Sequence, residues 1–325
     1  MELSKVTHVS KITQKDKKLF ESFYKKNKNS LDFSNSWLYT IQSTIFGAFK
    51  FYDGETLIPF TTKKPNELPY AIVQYLGHHA IQKAFKLAKI LSQISHQEVI
   101  FKNLTESQFK SLHASGCTDY KKGDYWNKFY KYDDDTYPET IIDLKDLISL
   151  RGGQFKTMRY RVNYFVKRYN HTVKNYSHKD SLKEGREVIE KWKGVILQRY
   201  SDYLKEDQMI LHSADIHNKF LVLVNSGKVG KGCISKIIYA DGEPVALGVA
   251  YKISDVCIGL YTNVTTKDLK GLSERIIFEL LKEALKQGYK YANLGGSEFE
   301  SLLKFKDKFK PIKYIQKTHA VLYPE

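Results

Sequence analysis

Near its C-terminal end the sequence reads Asn293-Leu294-Gly295-Gly296-Ser297 and then Leu302-Leu303-Lys304-Phe305-Lys306-Asp307-Lys308-Phe309-Lys310-Pro311. Paired glycines between a strand-like run and a helix let a substrate approach the main chain closely, and the small Ser297 leaves room for an acyl chain; the same residues also make an ordinary tight turn. Lys306 can set an ammonium against a phosphate or against negative charge developing on a reacting carbonyl. Glu298 and Glu274 are carboxylates able to take a proton from an attacking amine or hydroxyl, and on sequence alone they stand level.

Two further groups belong with these. The loop Thr265 to Ser273 precedes a helix, and its main-chain N–H groups, with Lys267 and Gly271, could hold a pyrophosphate. Asp268 within it would repel one, which argues against ordinary coenzyme A use, and Ser273 also reads as a simple helix cap. Upstream, Arg159 and Asn163 lie four apart on one helix face, where an arginine can grip a phosphate or carboxylate with two parallel bonds. For any single lysine of the chain, Lys304 included, a solvated surface position is the simpler reading.

Other chemistries find no support. No Ser-His-Asp set stands out, His212 and His217 are not at the spacing of a helical metal pair, and no metal site is expected. Cys117, Cys233 and Cys257 are far apart, form no CxxC pair and read as buried structural thiols. A site without nucleophile or metal suits transfer from an already activated donor, where the protein orients two substrates and stabilises an oxyanion.

Elements must position these residues. Strand-like runs Phe46–Tyr52 and Thr56–Phe60 flank Asp53-Gly54, and Gly232–Tyr239 and Pro244–Tyr251 flank Asp241-Gly242, two hairpin signals. The first is followed by an amphipathic helix over Ala80–Ser92, a strand over Glu98–Lys102, a helix over Ser107–Ala114 and a strand over Lys128–Tyr132. The region after residue 138 opens with a short helix over Asp143–Leu150, a long basic helix over Phe155–Tyr169 and another helix over Ser181–Tyr200. The second hairpin is followed by a strand over Val256–Tyr261, a helix over Leu272–Lys286 closed by Gly288, a strand over Tyr289–Leu294, a helix over Ser297–Lys306 and a final strand over Tyr314–Leu322. Both halves thus run hairpin, helix, strand, which predicts an α/β protein (mixed α+β sheets) of two related domains: residues 1–135, and residues 136–325 with the main substrate cleft. Asp133 to Pro138 reads as the linker.

The 325 residues, 42% hydrophobic, suffice for two cores, and no run approaches the length of a transmembrane helix. The polar stretch Met1 to Lys18 lacks the apolar core of a signal peptide, so a cytoplasmic location, with peripheral membrane contact as an option, is the expectation. The net charge of +16 suits a polyanion such as RNA, anionic lipid or a phosphorylated cofactor, or reflects solvated lysines alone.

The run from Asn293 to Pro311 resembles the end of the phosphatidylglycerol lysyltransferase C-terminal-domain family, whose usual pattern is Asn-Leu-Gly, a small residue, then Leu-x-x-Phe-Lys-x-x-Phe-x-Pro. A second stretch agrees. Asp143-Leu144-Lys145-Asp146-Leu147 through Phe155 resembles the family's entry motif, and Lys156-Thr157-Met158-Arg159-Tyr160-Arg161-Val162-Asn163-Tyr164-Phe165 resembles its Lys-x-x-x-Arg-x-x-Asn-x-Phe helix. Phe33 to Trp37 and Asp124-Tyr125 add N-terminal support. The resemblance implies two tandem GCN5-related N-acetyltransferase-like (GNAT-like) domains and kinship with peptidoglycan-bridge aminoacyltransferases. It implies no tightly bound cofactor, aminoacyl-tRNA as donor substrate and a lipid, small molecule or peptide as acceptor. It points to Arg159, Asn163, Asn293, Gly295, Gly296, Ser297, Phe305 and Lys306 as site residues, within or beside these motifs. The lysyltransferases carry a long membrane domain ahead of this module, and residues 1–325 include no counterpart. An acyl-CoA-dependent transferase and a non-catalytic RNA- or membrane-binding module on the same fold are the competing expectations.

Overall fold

A computed structural model of the chain describes residues 3, 6–42, 47–64, 67–120, 137–177, 182–199, 208–266 and 269–324. The chain folds into two compact units: Met1–Lys28, Ser34–Asp124 and Gln316–Glu325 form the first, and Asn29–Phe33 with Tyr125–Ile315 form the second. The main crossing, between Asp124 and Tyr125, precedes the cut expected after residue 135, and two short segments change units besides. The expected linker residues 133–136, the strand over Lys128–Tyr132 and the pair Asp124-Tyr125 lie outside the described residues.

In the first unit, β1 (Val9–Lys11), β2 (Ala48–Tyr52), β3 (Thr56–Lys64), β4 (Glu67–Ile72), β6 (Val99–Leu104), β15 (Thr318–Leu322) and β7 (Thr118–Asp119) lie side by side in that order, and β5 (Leu76–Gly77) pairs with β3. Among the described residues only β4 and β6 are parallel, and the chain passes between them through β5 and helix α3 (Ala80–Ser95). The hairpin turn forms where Asp53-Gly54 predicts it: the Asp53 carboxylate accepts the N–H groups of Glu55 (3.1 Å) and Thr56 (2.9 Å). Helix α3 buries Ala84, Leu87, Ala88 and Leu91 against Ile58, Phe60, Val99 and Phe101. Helices α1 (Lys17–Tyr24), α2 (Trp37–Gln42) and α4 (Glu106–Ala114) also belong to the unit.

In the second unit the order is β14 (Lys313–Ile315), β8 (Glu139–Asp143), β13 (Tyr291–Asn293), β12 (Cys257–Thr265), β11 (Glu243–Lys252), β10 (Cys233–Ala240) and β9 (His171–Asn175). Among the described residues only β12 and β13 are parallel, joined through helix α9 (Leu272–Lys286). Helix α9 packs on α5 (Leu144–Ser149), on α6 (Lys156–Arg168) and on β10, β11 and β12. Its Ile277, Leu280, Leu281 and Ala284 enclose a core with Ile142, Met158, Ala250, Ile258 and Ala292. Helices α7 (Leu182–Arg199) and α8 (Gln208–Asn225) pack on each other, α7 also on β11 and β12. A Cβ on Gly185 would lie 2.5 Å from the Leu221 side chain, so the glycine permits their close contact. Helix α10 (Glu300–Asp307) follows β13.

Two expectations need correction. The strand expected across Tyr314–Leu322 is two strands, because β14 pairs with β8 in the second sheet while β15 pairs with β6 in the first. One straight strand cannot serve two sheets, and the chain breaks pairing at Gln316 and Lys317. The helix expected from Ser297 begins at Glu300, because Ser297 pairs with Tyr137 in a backbone bridge. The cysteines follow the structural reading in part: Cys117 and Cys257 are buried and free, and Cys233, also free, is half-buried at the start of β10.

Candidate functional site

The site begins with a divergence of strands. β12 and β13 pair only from Cys257 to Gly259 against Tyr291 to Asn293. Beyond that, β12 continues to Thr265 while the other chain turns away at Leu294. A bulge adds to the divergence: Val249 pairs with Thr262 and Ala250 with Leu260, leaving Tyr261 as the extra residue. The Tyr261 ring stacks on Phe33 at 4.4 Å between centroids and meets Phe220 edge-on at 5.6 Å. Its hydroxyl donates to the Phe33 carbonyl at 3.1 Å.

Asn293 holds this region together. Fully buried at the end of β13, it donates through Nδ2 to the Leu31 carbonyl and to Glu139 Oε2, each at 2.7 Å. Its Oδ1 accepts the Gly295 N–H at 2.8 Å. Glu139, also buried, accepts the Phe33 N–H at 3.2 Å. One amide and one carboxylate thus fasten both the Leu31–Phe33 strap and the Gly295 turn.

The turn itself is saturated with donors. Gly295 has φ +74°, a conformation that disfavours a side chain, and a Cβ there would touch the Phe33 ring at 3.6 Å. The Gly295 carbonyl accepts from Thr140 N–H at 3.3 Å and from Lys306 Nζ at 3.2 Å, and Lys306 also donates to the Gly296 carbonyl. Lys306 is 7% exposed, and its ammonium donates to these carbonyl dipoles. Glu298, half-buried, follows directly. Two hydroxyls beside the turn, Thr140 Oγ1 and Ser297 Oγ, are buried with no hydrogen-bond partner among the described residues. Such groups are costly to bury unpaired and are available to a bound polar group.

A second group gathers at the start of α9. Gly271 is the N-cap, with φ +90°, and a Cβ on it would lie 2.2 Å from the Arg161 carbonyl. The expectation that Ser273 caps the helix is therefore corrected: it sits two residues further on and meets the Thr265 hydroxyl at 3.4 Å. Glu274 is buried and ion-paired with Lys308 at 3.3 Å. Lys308 lies 4.9 Å from the Phe305 ring centroid, and Phe305 packs edge-on to Phe309. Lys267 and Asp268 lie outside the described residues.

The remaining expected residues stand apart. Arg159 donates to the carbonyls of Leu150 and Gly152 (2.8 Å for the latter), clamping the turn that leads into α6. Asn163 is exposed on α6, and Lys304 is exposed and paired with Glu300 at 2.9 Å. The structure thus brings together Asn293, Gly295, Gly296, Ser297 and Lys306. To these it adds residues that sequence reasoning had not singled out: Leu31, Glu139, Thr140 and Tyr261. The one available signal for Glu139 was a carboxylate beside the apolar pair Ile141-Ile142. Phe33 was visible only as an aromatic anchor.

Buried ionisable groups also lie on the α8 side. Burial pulls His217 down to about 4, so the ring is neutral at physiological pH, and its Nδ1 lies 3.2 Å from the Thr262 hydroxyl. Burial likewise lowers Lys219 to about 8. Burial raises the Cys257 thiol, with the Glu139 charge adding to the effect.

Comparison with known proteins adds a family and a fold. Residues 91–321 match the family described as phosphatidylglycerol lysyltransferase, C-terminal. No curated protein matches the sequence. Among solved structures, the chain is similar to a conserved protein of unknown function from Bacteroides thetaiotaomicron (TM-score 0.76, 17% identity, 97% of this chain and 99% of that one). It is similar to L-PGS from Bacillus licheniformis (TM-score 0.59, 18% identity, 94% and 91%). It is also similar to a tandem GNAT protein from the clavulanic acid biosynthesis pathway (TM-score 0.53, 8% identity, 97% of both chains). At these identities the structural likenesses establish the fold, two GNAT-like units in tandem.

Proposed function

The chain belongs to the phosphatidylglycerol lysyltransferase C-terminal family, and from that premise we propose that it transfers an aminoacyl group from aminoacyl-tRNA to the amine or hydroxyl of a lipid, small-molecule or peptide acceptor. The observation that carries this reading is that the matched region, residues 91–321, includes the whole cluster from Asn293 to Lys306. In the proposed reaction the acceptor attacks the ester carbonyl of the donor, a carboxylate takes the acceptor proton, and the tRNA ribose oxygen leaves with a proton. Glu298, half-buried after the Gly295-Gly296 turn, suits the proton-accepting role better than Glu274, whose carboxylate is buried and bound to Lys308. Lys306 acts by holding the carbonyls of Gly295 and Gly296 in place, and the hydroxyls of Ser297 and Thr140 meet a polar group of the substrate. We place this cleft in the second unit, in the cytoplasm or at the membrane surface; among the described residues no helix is long and apolar enough to cross a membrane.

The test offers labelled aminoacyl-tRNA and, separately, acetyl-CoA to the protein, with phosphatidylglycerol vesicles or a lysate-derived acceptor pool. Transfer from aminoacyl-tRNA supports the reading. Transfer from acetyl-CoA alone would replace the donor, and a folded protein inert with both would point to a binding module.

A further inference from the structure

The outward stripe of α6 runs Lys156, Tyr160, Asn163, Tyr164, Lys167, positions that recur on one face of a helix. Lys156, Tyr160, Asn163 and Lys167 are exposed, and Tyr160 has 51% of its surface open to solvent. Lys270, exposed in the loop ahead of α9, reaches over this stripe. Its ammonium lies 4.8 Å from the ring centroids of both Tyr160 and Tyr164 and donates to the Tyr160 hydroxyl at 2.9 Å. The two rings are 5.8 Å apart. Helix α6 carries five cations and no carboxylate in its 13 residues. Among the described residues, none of those cations is paired with an acidic side chain.

We infer that Tyr160, Tyr164 and Lys270 form a stacking platform for an unpaired base at the end of an RNA strand, with Lys156 and Lys167 meeting the adjoining phosphates. This rests on the aminoacyl-tRNA reading and deepens it. Flat aromatic faces held by a cation, within a field of unpaired positive charge, match the two features of a single-stranded nucleic acid: a base with a π-face and a regularly charged backbone. A membrane surface is a poorer match, because a helix lying in the interface sets aliphatic residues along its buried stripe, whereas Asn163 stands between these tyrosines. The platform also adjoins the group at the start of α9. Gly271, next to Lys270, lies against the Arg161 carbonyl of α6, and α9 then leads within one turn to Glu274. A strand end stacked on the stripe is delivered beside that helix start.

The experiment titrates the full chain into a single-stranded oligoribonucleotide whose terminal base is a fluorescent adenine analogue quenched by stacking. The expected result is saturable quenching, with affinity about tenfold weaker in the Tyr160→Ser/Tyr164→Ser double variant and retained in Tyr160→Phe. Lys110→Ala, a change in the first unit, leaves it unaltered. A blunt duplex should bind without quenching. Binding without quenching, equal quenching in the double-serine variant, or a preference for phosphatidylglycerol vesicles that depends on the same tyrosines would each overturn the platform. Aminoacyl transfer measured on the same preparations separates the two ideas. Transfer without quenching removes the platform and leaves the donor reading, whereas quenching without transfer keeps the platform and removes that reading.

Discussion

Asn293 is a residue whose three hydrogen bonds are all made inside the protein, so its contribution is structural before it is anything else. Asn293→Leu removes the donors to Leu31 and Glu139 and leaves a buried carboxylate under-satisfied. We expect a loss of about 2–4 kcal/mol in chemical denaturation. Gly271→Ala argues similarly from sterics. The new methyl meets a main-chain oxygen that cannot swing aside, at a φ that disfavours side chains, and should lower stability by about 2–4 kcal/mol. Lys306→Met keeps most of the apolar stem but frees the carbonyls of Gly295 and Gly296. Aminoacyl transfer should fall at least about tenfold, while the far-ultraviolet dichroism stays that of the wild type. A variant with unchanged transfer would show that the turn does not need its lysine.

Helix α8 sets a pH dependence at the scale of the element. The folded chain protonates His217 only near 4, whereas the unfolded chain takes the proton near the ordinary 6.5. The unfolded state therefore binds more protons between those values, and stability falls as pH drops through that window and is indifferent to this group above it. The full linkage corresponds to about 3 kcal/mol, discounted because part of the residue reaches solvent. His217→Gln should flatten the slope of stability against pH between 6.5 and 4; an unchanged slope would mean that other groups carry it. The Leu31–Phe33 strap is the other element-scale feature. Its fastening to Glu139 and Asn293 predicts that Glu139→Leu speeds amide exchange at Phe33 well beyond the change seen in α9.

For the molecule as a whole, the telling feature is that the last ten residues return to the first unit. β15 is not an edge strand, since it lies between β6 and β7 and its Ala320 and Leu322 join the core under α3. A chain ended after Ile315 should lose cooperative unfolding of the first unit and become rapidly cleaved within residues 34–124, and proteolysis followed by mass spectrometry reads this directly. A truncated chain as resistant as the intact one would show that β15 is dispensable.

What the sequence determined by itself was local and periodic. The hairpins at Asp53-Gly54 and Asp241-Gly242, helix α9 to the residue, and the motif positions from Asn293 to Lys306 are legible because turn chemistry, helical spacing and family pattern lie in contiguous residues. Helix α8 was not visible. Its Phe220-Leu221-Val222-Leu223-Val224 is a continuous apolar run, which periodicity cannot assign to helix or strand. The split of Tyr314–Leu322 between two sheets, the placing of Leu31 and Phe33 against Asn293, and the burial of Lys306 on carbonyls were decided only by tertiary structure. Each depends on a partner far away in the chain. Hydrogen-bond satisfaction and steric fit across such separations are properties of the folded packing, and no local pattern of residues encodes them.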